Sequence, residues 1–61
     1  MLLGELFKVI NEDARVNISD IDGNQLPYGH RERVSKVKGY YDDKTIVKIN
    51  LFADVLYIRI K

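Results

Sequence analysis

No cysteine occurs anywhere in this chain, and histidine occurs once, as His30. In a chain of 61 residues that absence constrains the fold more than any residue present. A domain this short buries only about 60% of the surface its unfolded form exposes. Scaffolds of this size are commonly held by disulfides or a structural metal. A cysteine-free chain has no disulfide framework and no thiolate zinc site, and one histidine makes no His-rich cluster. No cofactor is expected. What remains is good local structure, tight packing or self-association. The hydrophobic share of 46% is ordinary for a globular domain and argues against disorder.

The apolar spacing then sets the elements. Leu3, Leu6, Phe7 and Ile10 recur as one face of a helix, which Asn11-Glu12-Asp13 ends, since acids at a helix C-terminus oppose the dipole. The helix is about nine residues, too short to persist undocked. Val16 and Ile18 alternate with polar neighbours in a half-buried strand. Asp22-Gly23 is a strong hairpin signal, with Leu26 and Tyr28 alternating in the return strand and Pro27 placing it at an edge. Residues 31–41 read as a short helix or a structured loop, with Val34, Val37 and Tyr41 at helical spacing and Gly39 weakening it. After a turn at Asp42-Asp43, two strands follow: Val47, Ile49 and Leu51 share one face, and Leu56, Ile58 and Ile60 another. A short link makes them an antiparallel hairpin.

The expected fold is a single α+β domain, residues 1–61. Its N-terminal helix packs on a small curled antiparallel sheet of about four strands, arranged as two hairpins. An open sheet and a partial barrel both satisfy the pattern. The expected core is Leu3, Leu6, Phe7, Ile10, Val16, Ile18, Leu26, Val47, Ile49, Leu56, Ile58 and Ile60. The N-terminus lacks the basic and apolar regions of a signal peptide, and no stretch approaches the length of a membrane span. A soluble cytoplasmic protein is expected.

Catalytic patterns are missing. Asp20, Asp22 and Asn24 resemble the start of a calcium loop, but its sixth and twelfth positions are Gln25 and Arg31, where Gly and Glu are needed. Ser19, Ser35, Thr45 and His30 fall in no nucleophile context. The glycines are scattered and form no phosphate cradle. The expectation is therefore binding, not catalysis. The net charge of +1 conceals −3 over residues 1–30 and +4 over residues 31–61. Mutual complementarity of the two halves is the plainer account.

Residues 28–41 carry the densest mixture of rings and cations. Tyr28, Arg31, Arg33, Tyr40 and Tyr41 suit a protein interface, where tyrosine and arginine are enriched. Arg31, Arg33, Lys36 and Lys38 beside the same tyrosines suit nucleic acid instead. Ile46, Val55 and Tyr57 lie opposite the expected core and form a candidate self-association patch, consistent with a homodimer. Finally, the runs Leu3-Gly4-Glu5-Leu6-Phe7-Lys8-Val9-Ile10, Arg15-Val16-Asn17-Ile18 and Asp20 to Gly23 resemble short phage and prophage proteins of Gram-positive bacteria. Val47 to Asn50 and Val55 to Ile58 resemble them too. The resemblance implies a protein-binding accessory module of a mobile element, and some such proteins inhibit host defence systems. It carries over no functional residue. Mimicry of DNA needs a strongly acidic surface, which a net charge of +1 does not provide.

Overall fold

The apolar stripe at the N-terminus does form a helix, shorter than the spacing predicts. In the computed structural model, which describes residues 1–61, α1 spans Leu3–Phe7. Glu5 closes its first turn by accepting the Leu2 N–H at 2.7 Å, the reciprocal half of a capping box. Hydrogen-bonded turns continue to Ile10, whose amide donates to Leu6. There the Asn11 side chain captures the Asp13 N–H at 2.8 Å, a local bond that competes with helix propagation. Leu3 and Phe7 are buried, and Leu6 and Ile10 pack partly buried beside them.

β1, Arg15–Ser19, buries Val16 and Ile18. The Asp22-Gly23 turn forms, with Asp20 Oδ1 accepting the Asp22 and Asn24 N–H groups, both at 2.9 Å. The return strand at Leu26 and Tyr28 does not. Only an isolated bridge joins Ser19 to Gln25, and then Pro27 withholds a donor and Tyr28 turns to a φ of 66°. Gly29 is the reason the chain stays irregular yet close. A Cβ there would lie 2.8 Å from Ile18 Cβ, and its carbonyl accepts the Ile18 N–H at 2.8 Å. Pairing resumes later, in the two-residue β2, Glu32–Arg33, antiparallel to the start of β1.

Of the two readings for residues 31–41, the structure takes the short helix. α2, Val34–Val37, is one turn and ends at Lys38, whose backbone is extended; Gly39 then turns the chain with a φ of 98° that side-chain-bearing residues resist. Its Val34 and Ser35 amides donate to Ala14 and Glu12 at 3.0 and 3.1 Å. That docking buries Val34 and Val37 completely, although neither stands in the expected core. The chain then enters the opposite edge of the sheet as β3, Ile46–Phe52, and turns inward as β4, Val55–Ile60.

The sheet order is β2-β1-β4-β3. β3 and β4 form the expected antiparallel hairpin, but β4 lies parallel to β1. The sheet is therefore mixed and not wholly antiparallel. Entry at the far edge followed by an inward turn leaves β4 running in the direction of β1. β2 and β3 remain as edges, so the sheet is open and no barrel closes. The helices cover one face, where Val16, Ile18, Ile58 and Ile60 meet Leu3, Phe7, Val34 and Val37.

β3 departs from the expected core. A bulge at Val47 interrupts the register between the Ile46–Ile60 and Lys48–Arg59 pairs, shifting the alternation by one residue. Ile46 thereby takes the core position opposite Ile60 and packs partly buried. Val47 is 50% exposed and Ile49 41% exposed. Ile49 and Leu51 do face the core side, opposite Ile58 and Leu56, but the helical layer stops short of them. The expected self-association patch also divides: Ile46 joins the core side, and Val55 is buried on the opposite face.

Candidate functional site

No helix covers the other face of the sheet, although Val55 and Asn17 on it are buried, and strand register states what it carries. Arg33, Arg15, Val55 and Phe52 form one row across β2, β1, β4 and β3. Asn17, Tyr57 and Asn50 form the next, and Ser19, Arg59 and Lys48 the third. Residues directly opposite in neighbouring strands point to the same side. The face thus displays Arg15, Arg33, Lys48 and Arg59 together with two rings, Tyr57 and Phe52. No strand position on it is acidic.

A shallow depression runs through its third row. Asn17, Ser19, Gln25, Lys48, Asn50, Tyr57 and Arg59 border it, with Gly23 at the rim. The Arg59 guanidinium reaches over Gly23, whose missing side chain would start 3.5 Å from it. The Asn17 side chain is held in place, its Oδ1 accepting the Arg31 N–H at 3.3 Å. The one ion pair of the chain, Lys38 with Glu12, lies elsewhere. Arg15, Arg33, Lys48 and Arg59 therefore face solvent without a carboxylate partner.

Away from the open face the two signs are mixed. Glu12, Asp42 and Lys38 surround a depression beside Phe7 on the helical side. Glu32 sits with Tyr28, His30 and Lys36. The Lys38 ammonium is held protonated above its usual range, first by its hydrogen bond to the Glu12 carboxylate and then by that group's charge. Of the basic residues in 31–41, Lys38 thus already has a carboxylate partner.

The structure brings the three tyrosines of the sequence-predicted site together. Tyr28 and Tyr40 stack at 4.5 Å between centroids, 22° apart in plane, and Tyr41 lies 6.5 Å from Tyr40. Tyr41 donates its hydroxyl to the Pro27 carbonyl at 2.8 Å, fixing the cluster. Tyr28 and Tyr40 are 63% and 55% exposed. The arginines are not with them. Arg33 pairs with Arg15 on the open sheet face, and the Arg31 backbone is bonded to Asn17 and Arg15. Lys36 stays on the tyrosine side, near Tyr28.

Sequence reasoning missed the open face because its rows join residues from four separate segments. The polar half of each strand's alternation was the available signal. Guanidinium groups bind phosphate oxygens in a bidentate manner, and exposed rings stack on bases. No three His, Cys, Asp or Glu side chains converge on one point. No helix is long and apolar enough to cross a membrane. Comparison with family models, curated proteins and solved structures finds no match to this chain.

Proposed function

We propose that this protein is a non-enzymatic module that binds single-stranded nucleic acid on the open face of its sheet. One observation carries the reading: four cations without ion-pair partners share one sheet face with Tyr57 and Phe52, and that face has no acidic strand residue. The small net charge is no obstacle, because phosphate responds to the local face, and the carboxylates of α1 and its neighbours lie on the other side. Cations track the backbone while rings accept bases without sequence preference.

Fluorescence anisotropy with a labelled single-stranded oligonucleotide tests this across a salt series. Each neutralised phosphate contributes about 0.7 to the slope of log K against log salt, so four contacts give a slope near −3. Arg59→Ala is expected to weaken binding and flatten the slope by about 0.7. Lys38→Ala, which removes a cation already paired with Glu12, leaves both unchanged. A salt-independent signal, or an Arg59→Ala slope equal to the parent's, removes the reading.

A protein partner is the second reading, and the stacked, exposed Tyr28–Tyr40 pair favours it. Rigid tyrosines supply contact area at low entropic cost. The resemblance to phage proteins makes a host factor the expected partner class. Tyr40→Ala would then abolish capture of that partner while leaving oligonucleotide binding intact.

A further inference from the structure

The outer edge of β3 has no partner from Lys48 to Phe52, and its sequence is complementary to itself. Residues Met1 to Leu3 close the first part of that edge: the Leu3 N–H donates to Lys44 at 2.9 Å and the Ile46 N–H to Met1 at 2.8 Å. Beyond the Val47 bulge nothing in the chain meets it. The Phe52–Val55 pair closes a two-residue turn, so Phe52, Asn50 and Lys48 bond inward to β4. Alternation then directs the N–H and C=O groups of Ile49 and Leu51 outward. Leu51 and Phe52 are 71% and 72% exposed.

We infer that two copies of this chain pair antiparallel through β3, with the two-fold axis at Asn50. The free stretch is centred on that residue, and a register moved toward Val47 would run into Met1. In this register Ile49 lies opposite Leu51 of the second copy, and Leu51 opposite its Ile49. Every outward N–H and C=O of the pair finds a partner. The facing side chains are apolar on the core side and join Leu56 beneath the seam. On the other face Asn50 meets its own copy. Lys48 meets a phenyl ring and not a second lysine, so no like charges oppose each other.

An antiparallel seam with this axis keeps both open faces on the same side. The product is one eight-stranded sheet with a continuous basic surface. The pairing itself rests on the edge and not on the proposed function. It also covers the hydrophobic strand edge that would otherwise template aggregation.

The chain's lack of cysteine makes the test free of background. Asn50→Cys places two thiols at a non-hydrogen-bonded pair, with Cα atoms about 4.5 Å apart, inside the range of about 4.4–6.8 Å that disulfides span. Lys48→Cys puts its two copies more than about 13 Å apart at 3.4 Å per residue. Mild oxidation should convert Asn50→Cys to covalent dimer and leave Lys48→Cys monomeric. Sedimentation of the parent should give a dimer mass at high micromolar concentration. Leu51→Lys should give a monomer with unchanged circular dichroism. A parent that stays monomeric, as it would if the edge received a strand of another protein, overturns the inference. So does Asn50→Cys crosslinking no faster than Lys48→Cys. Both readouts are taken without nucleic acid, so failure here leaves the proposed function standing, and the reverse also holds.

Discussion

Gly29 shows how much one missing side chain decides. Its backbone lies against Ile18 so closely that a methyl group would sit 2.8 Å from Cβ and 3.0 Å from Cγ1. Ile18 is β-branched and fully buried, so it has no rotamer to escape to. Gly29→Ala is expected to cost about 1–3 kcal/mol, as overpacking does, read as a lower denaturant midpoint. Leu3 has the opposite sensitivity. It is completely enclosed, and Leu3→Ala should cost about 2–5 kcal/mol through the cavity it leaves. In a domain whose core can supply only about 3–5 kcal/mol, that substitution is expected to unfold much of the population at 25 °C. Far-UV circular dichroism measures it directly.

At the scale of elements the β3–β4 hairpin carries a correctable strain. Ala53 and Asp54 both adopt positive φ, 51° and 63°, the conformation of a type I′ turn. Such turns match the strand twist and favour Asn-Gly. Alanine has no polar group to offset its left-handed conformation, which costs roughly 1–2 kcal/mol. The double substitution Ala53→Asn, Asp54→Gly should therefore stabilise the domain by about 1 kcal/mol and raise Tm by about 4–8 °C. An unchanged or lowered Tm would show that the turn does not carry this strain. α2 is the contrasting element: one turn with two buried valines, held because its first amides are taken by Glu12 and Ala14. Without that docking so short a helix would not persist.

For the whole molecule the governing fact is a thin core. Only 11 of 61 residues are buried, which leaves little margin and leaves Val47, Ile49, Leu51 and Phe52 in solvent. A second copy joined at β3 would supply what the single chain lacks. Coupled association makes apparent stability depend on concentration. Tm of the parent is expected to rise with protein concentration in scanning calorimetry, and that of Leu51→Lys to stay constant. The same joining would extend the open face, which carries Arg15, Arg33, Lys48 and Arg59 and no acidic strand residue.

What the sequence determines here is local. The period of α1, the alternation of β1 and β4, the Asp22-Gly23 turn and the helical spacing of Val34 and Val37 are all written in neighbouring residues. So is the nearness of Lys36 to Tyr28. The tertiary structure decided what depends on distant partners. The bulge at Val47 moved Ile46 into the core. Gly29 packing on Ile18 replaced a return strand with a loop and delayed pairing to Glu32–Arg33. The parallel contact of β4 with β1 joined the polar halves of the strands into one basic face, and the pairing of β2 with β1 drew Arg33 away from the tyrosines. Hydrophobic alternation records which residues of a strand share a side. It does not record which strand lies next to it, and in this protein the candidate site is made of that adjacency.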